Sequence, residues 1–212
     1  MWLIVGLGNP GSRYEGTRHN VGFRTVDALR ERNGAGPLRA KMGAELGEAD
    51  IGGRGRDAEQ VRALLCKPME MMNVSGQAVT RVARFWKIAP AETVVAHDDL
   101  DLPFGRLKLD AGGGGHGGHN GLRSLIASLG SADFLRVRVG IGRPAPGRQD
   151  PADYVLSDFS RAEQAELPDL CARAAEAVET IVLSGLTAAM NRFNARNQSS
   201  SSKRDKKEGP DA

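Results

Sequence analysis

The 212-residue sequence predicts a single α/β domain built on a twisted, mixed and partly parallel sheet with helices on both faces. Short apolar, β-branched runs recur along the chain, stretches with helical spacing separate them, and Gly-, Asn- or Asp-rich turns stand at the junctions. Leu3–Leu7 is an apolar run ending in GlyAsnProGly, as a buried strand feeding a loop would be. Val21–Arg32 follows with helical spacing through Phe23, Val26 and Leu29. Two strands are expected over Ala44–Ile51 and Val61–Cys66, joined by the turn GlyGlyArgGlyArgAsp. Asn73 or Ser75 is a candidate cap for a helix whose core face reads Val79, Val82, Ala83 and Trp86. Thr93–Ala96 reads as a strand running into the loop HisAspAspLeuAspLeuPro, and Arg106–Leu109 as another. The glycine loop 112–118 opens onto a helix carrying Leu122, Leu125, Ile126 and Leu129. Phe134–Ile141 alternates as a strand, and Arg161–Phe193 is a long helical pattern interrupted near Gly185.

This organisation places one domain over residues 1–197. A polar, basic tail at 198–212 shows no core pattern and is expected to be disordered. A net charge of +3 has the sign that nucleic-acid binding needs but is too small to establish it. Cys66 and Cys171 both lie in apolar stretches, which fits reduced core thiols of a cytoplasmic protein better than a disulfide or metal framework. MetTrpLeuIleValGlyLeuGly has no basic leader and only a short apolar run, so it reads as a strand, not a signal peptide or membrane span.

GlyLeuGlyAsnProGly at positions 6–11 fits the dinucleotide fingerprint letter for letter. The fingerprint needs a helix to start within the glycines so that its N-terminus faces a pyrophosphate. Here the chain continues as GlySerArgTyrGluGlyThrArg without helical periodicity, and no acidic residue ends a second strand, so nucleotide binding is not expected.

Chemistry-bearing side chains cluster at loops that follow strands: Asn9 with His19 and Asn20, HisAspAspLeuAsp at 97–101, and HisGlyGlyHisAsn at 116–120. Together with Asn73 these would converge at the carboxyl edge of the sheet. No G-x-S-x-G elbow is present and neither cysteine has a basic neighbour that would make it thiolate-like, so a covalent nucleophile is not expected. What remains is a histidine base, a carboxylate to orient it, and amides able to hold a water and a carbonyl oxygen. The four histidines raise a metal site, but the glycines between His116 and His119 give no rigid face and no H-x-x-x-H pair exists, so no metal is expected. Taken singly, each residue also has an ordinary explanation as a turn or cap. Their recurrence at successive loop ends favours a site.

Five ordered motifs over roughly residues 2–195 resemble bacterial peptidyl-tRNA hydrolases: GlyLeuGlyAsnProGly, TyrGluGlyThrArgHisAsnValGly, LysProMetGluMetMetAsnValSerGly, HisAspAspLeuAspLeuPro and GlyGlyHisGlyGlyHisAsnGlyLeu. The resemblance implies a monomeric, metal-independent and cofactor-free esterase that cuts the bond between a peptide and the terminal ribose of tRNA. It implies His19 as general base, Asp98 as its orienting carboxylate, Asn9 and Asn73 as hydrogen-bonding partners of the peptide and ester region, and Asn120 as the amide that orients the water or oxyanion. Tyr14 and Met72 would line the peptide groove, His119 would help hold the tRNA end, and the glycine loop would act as a gate. Arg138 matches a position associated with clamping the tRNA 5′ phosphate. Asp110 stands where many members carry a basic residue, and the run of four glycines is one residue longer than usual, so either Lys108 or Arg106 takes over that contact or the tRNA is held by a weaker clamp. The alternative is a non-catalytic RNA-binding relative of the same fold.

Overall fold

A computed structural model describes residues 1–53, 60–145 and 147–194; the tail expected at 198–212 and most of the GlyGlyArgGlyArgAsp turn lie outside them. Seven strands, β1 (Trp2–Gly6), β2 (Arg39–Lys41), β3 (Ala44–Gly52), β4 (Gln60–Pro68), β5 (Thr93–Asp99), β6 (Leu107–Asp110) and β7 (Leu135–Gly140), form one sheet in the order β2-β3-β4-β1-β5-β7-β6. The central strands β4, β1, β5 and β7 run parallel, and antiparallel pairs flank them on both sides, β2 and β3 at one edge and β6 at the other. Five helices, α1 (Val21–Arg32), α2 (Ser75–Trp86), α3 (Asn120–Leu129), α4 (Pro151–Val155) and α5 (Arg161–Phe193), complete the fold. Among the described residues, no helix is long and apolar enough to cross a membrane.

Strand alternation divides the core in two. Ile4, Ala63, Leu65, Val94, Ala96, Val137 and Val139 face α1 and α5, while Leu3, Val5, Leu64, Cys66 and Val95 face α2 and α3. β1, β4 and the first half of β5 are therefore apolar on both faces and read as continuous apolar runs, whereas β7 is apolar on one face and carries Arg136 and Arg138 on the other. The helices approach closely where glycine allows it. A Cβ on Gly22 of α1 would meet the Ala96 carbonyl at 2.4 Å, and one on Gly76 of α2 would meet the Ser124 carbonyl of α3 at 2.2 Å.

Several expectations need correction. β5 continues through His97, Asp98 and Asp99, because those residues complete a ladder with β7, so the catalytic-type carboxylate sits on a strand and not in a loop. Neither Asn73 nor Ser75 caps α2: Asn73 lies in the 3-10 turn Met72–Val74, and the Ser75 hydroxyl donates to the Met72 carbonyl. α4 was not foreseen, although Asp150 followed by Pro151 is a cap and first-turn pair, with the Asp150 carboxylate accepting from the Ala152 amide. α5 behaves as read, capped reciprocally by Ser160 and Glu163 and broken at Gly185, whose φ is 82°.

Burial pushes the Cys66 thiol up to about 12 and the Cys171 thiol up to about 11. Both stay protonated and inert at neutral pH, in line with core residues.

Candidate active site

β1 and the turns after it carry the first part of the site. Asn9 is 3% exposed and held on both sides: its backbone N–H donates to Asn20 Oδ1 at 2.8 Å, and Asn20 Nδ2 donates to the Asn9 carbonyl at 3.0 Å. Its side-chain Oδ1 accepts from the Met72 amide at 2.8 Å, which fixes the amide orientation and leaves Nδ2 as the donor available to a ligand. The first two glycines of the apparent fingerprint, Gly6 and Gly8, serve packing. A Cβ on Gly6 would meet the Gly22 carbonyl at 2.2 Å and one on Gly8 the Phe23 ring at 2.7 Å, and the first α-helix begins only at Val21.

His19 lies in a 3-10 turn just before α1, and the neighbouring Arg18 anchors that turn. The buried Arg18 guanidinium donates to Ser157, to the Asp158 carbonyl and to Glu163 at 2.8 Å, and it stacks over the rings of Tyr154 and Phe159. Arg18→Ala removes the cation that pairs with Glu163, the side-chain donor to the Asp158 carbonyl and the packing against Tyr154 and Phe159. The expected loss is about 2–4 kcal/mol of stability, read as a lower denaturant midpoint at unchanged slope. An unchanged midpoint would show that the turn is held by the chain alone.

The carboxylate of Asp98 collects two histidines. His19 Nδ1 donates to Asp98 Oδ1 at 2.7 Å, and His119 Nε2 donates to the same oxygen at 2.9 Å. His119 Nδ1 accepts from the amides of Gly121 and Leu122, capping α3, so its proton must sit on Nε2. Both ring nitrogens of His119 are thus engaged within the protein, and the residue ties Asp98 to the start of α3. His97, on the strand residue before Asp98, donates through Nδ1 to the Asp98 carbonyl at 2.7 Å and packs edge-on against His119. Burial, reinforced by the charges of His119 and Arg136 and only partly opposed by Asp98, pulls His97 down to about 3, so it is a neutral wedge.

Electrostatics separates the two partners of the dyad. Burial disfavours charge on the 3%-exposed Asp98, but His19 and His119 outweigh that effect and hold its carboxyl well below the usual carboxylate range. Burial also pulls His19 down, yet the charge and hydrogen bond of Asp98 outweigh it and raise the imidazole above 6.5. The pair is an ionised carboxylate beside a histidine with its proton on Nδ1 and its lone pair on Nε2.

These groups line one pocket of about 720 Å³ at the carboxyl edge of the parallel strands, the convergence expected from the loop pattern. Asn9, His19, Met72, Asn73, Asp98, His119, Asn120 and Arg138 all line it; Tyr14 does not, and instead packs beneath Arg13 in the turn after β1. Met72 forms floor more than groove, being only 4% exposed, whereas its neighbour Met71 is exposed and lines the opening. Asn73 and Asn120 are both exposed at the pocket.

Arg136 was not foreseen. It is buried and donates to the carbonyls of Gly115 at 2.8 Å and Gly114 at 3.0 Å, tying down the glycine loop that the sequence suggested as a free gate. The alternation Arg136–Arg138 within an apolar strand was the available signal, since two cations two apart share one sheet face. The residues that α4 adds to the rim, Asp150, Ala152 and Val155 among them, were missed with the helix itself. Arg138 is not a free cation: Nε pairs with Asp99 and Nη1 lies 3.5 Å from Asp110. Register places Lys108, not Arg106, directly opposite Arg138.

His19, Asp98 and His119 also form the one group among the described residues whose donor atoms are close enough for a metal, within 4.8 Å of one another. The donor chemistry fits poorly. His119 must present N–H, not a lone pair, at Nε2, and both imidazoles spend their hydrogens on Asp98.

A family model described as peptidyl-tRNA hydrolase matches residues 3–203. The chain belongs to the peptidyl-tRNA hydrolase family. The peptidyl-tRNA hydrolase of Chloroflexus aurantiacus is 52% identical over 195 residues, covering 92% of this chain and 99% of its own length. That of Frankia alni is 50% identical over 194 residues, covering 92% of this chain and 94% of its own. A crystal structure of the Acinetobacter baumannii peptidyl-tRNA hydrolase superposes with a TM-score of 0.81 at 38% identity, over 92% of this chain and 95% of that one. Hydrolysis of peptidyl-tRNA is the activity of this family, and the chain is an enzyme of that class with the expected α/β fold.

Proposed function

We propose that this chain carries out its family's reaction, hydrolysis of the ester between a peptide and the 3′-terminal ribose of tRNA, through a histidine-activated water and without a covalent intermediate. The buried pair of His19 Nδ1 and Asp98 Oδ1 at 2.7 Å carries this reading. It leaves Nε2 of His19 as the lone base, in a pocket where both cysteines are absent and no activated hydroxyl nucleophile lines the wall. Water gives its proton to Nε2 as its oxygen attacks the ester carbonyl, and Asp98 stabilises the imidazolium. The carbonyl π electrons pass to its oxygen, which the fixed Nδ2 donor of Asn9 and the exposed amide of Asn120 are placed to stabilise; Asn73 would contact the ribose–ester region. Collapse of the intermediate breaks the bond to the ribose oxygen, which takes the proton back from His19, releasing peptide acid and tRNA.

The hydrogen bonds that occupy both ring nitrogens of His119, and the N–H that His19 and His119 each give to Asp98 Oδ1, support metal independence. A monomer is supported by the sheet edges: β2 is three residues long, exposed and carries Arg39 and Lys41, while β6 is bonded through Leu109 to the Asn194 side chain. Buried, unpaired thiols fit a cytoplasmic setting. One domain over 1–197 with a separate polar tail remains our reading of the chain's organisation.

The deciding experiment is release of N-acetyl-amino acid from N-acetyl-aminoacyl-tRNA, with free aminoacyl-tRNA alongside and EDTA present. Rapid release from the blocked substrate in EDTA is expected. Binding without release would favour the non-catalytic RNA-binding alternative, and activity lost to EDTA and restored by a metal would overturn metal independence.

A further inference from the structure

The β6–β7 rim of the pocket is where charge should receive the RNA, yet two carboxylates, Asp99 and Asp110, occupy part of its positive charge. Leu107, Leu109, Val137 and Val139 are wholly buried toward α1 and α5, so alternation sends Lys108, Asp110, Arg136 and Arg138 together to the other face. Arg136 is committed to the glycine-loop carbonyls. Arg138 lies between two carboxylates, Asp99 of β5 and Asp110 of β6, with Lys108 exposed directly across the ladder. The Asp99 side chain is 8% exposed and the Asp110 side chain 30%, so Asp110 is the partner that an incoming anion can reach and replace. Its second oxygen, Oδ1, accepts from the Gly112 amide at 3.1 Å, which holds the carboxylate at the root of the glycine loop.

We propose that Asp110 is a specificity-determining positioning residue, a built-in competitor that occupies Arg138 in place of an RNA phosphate and is displaced when that phosphate bridges Arg138 and Lys108. The proposal rests on reading the chain as an enzyme of peptidyl-tRNA. An RNA phosphate must supply enough interaction to displace the carboxylate, so this rim binds poorly to anions that engage Arg138 alone and selects those that reach Lys108 as well. The displaced group is either the terminal phosphate monoester of the tRNA 5′ end or an internal phosphodiester. Because Asp110 also holds Gly112, its departure from Arg138 alters the anchorage of the loop that leads to His119 and Asp98.

Asp110→Asn tests this cleanly, since an amide oxygen still accepts from Gly112 while the charge is gone. The Kd for deacylated tRNA and the KM for N-acetyl-aminoacyl-tRNA are both expected to fall about two- to fivefold, the scale of a partly exposed ion pair. Asp110→Glu should return both toward wild type, and the gain should vanish in an Arg138→Ala background. Repeating the Kd measurement with tRNA lacking its 5′ phosphate assigns the source: a gain that disappears identifies the terminal monoester, and one that persists identifies a phosphodiester. An unchanged or raised Kd in Asp110→Asn, or a gain that survives in Arg138→Ala, would overturn the proposal. Failure of the wild type to release N-acetyl-amino acid would sink the enzymatic reading separately, because the Kd comparison needs no turnover.

Discussion

Replacing His19 with alanine is expected to lower kcat for N-acetyl-aminoacyl-tRNA by about 10²- to 10⁴-fold while tRNA affinity stays close to wild type. The asymmetry follows from where the ring sits. His19 is 8% exposed at the base of the pocket, and its ring's one protein hydrogen bond is to Asp98, whereas the cations we propose as RNA contacts lie on β6 and β7. Single-turnover hydrolysis and tRNA binding measured on the same preparation separate the two effects. A variant that turns over bound substrate at the wild-type rate but no longer binds tRNA would remove His19 from the chemistry.

Asp98→Asn is expected to cost about 10²- to 10³-fold in kcat/KM and to move the acid limb of its pH profile downward. The amide oxygen can occupy the position of Oδ1 and still accept from both His19 Nδ1 and His119 Nε2, so the substitution removes charge more than geometry. The sign is fixed by the base having to be neutral. Activity rises with pH through the His19 pKa, which lies above 6.5 because Asp98 outweighs burial; without that charge, burial acts alone and the limb falls below 6.5. A pH–rate profile from about pH 5 to 9 reads the shift directly. A limb that stays in place would mean that another group titrates, and a limb that rises would reverse the assigned roles.

His97 shows why the dyad needs support behind it. Its ring is buried and neutral, its Nε2 has no hydrogen-bond partner, and it fixes the carbonyl of Asp98 while packing against His119. An unsatisfied buried nitrogen costs stability. Here that cost accompanies three rings, His19, His119 and His97, stacked in sequence about 5 Å apart around one carboxylate.

The sequence by itself determined the fold class, most element positions and the convergence of Asn9, His19, Asn73, Asp98 and Asn120. These follow from local rules: apolar runs buried on both sheet faces, helical spacing, and polar loops placed at strand ends by α/β topology. It also excluded the dinucleotide site, because a fingerprint without a helix start is a local contradiction. Only the tertiary structure decided which partners each polar group chose. His119 became a cap and a second donor to Asp98, because α3 begins within hydrogen-bond reach of β5. Arg136 and Arg138 look alike in sequence, yet one closes on the glycine loop and the other on Asp99 and Asp110. Asp110, which along the chain reads only as a departure from a basic pattern, gains meaning from the β6–β7 register that sets it diagonally to Arg138. Periodicity reports the face a residue takes, but long-range pairing depends on which strands become neighbours, and that order is set by packing of the whole sheet.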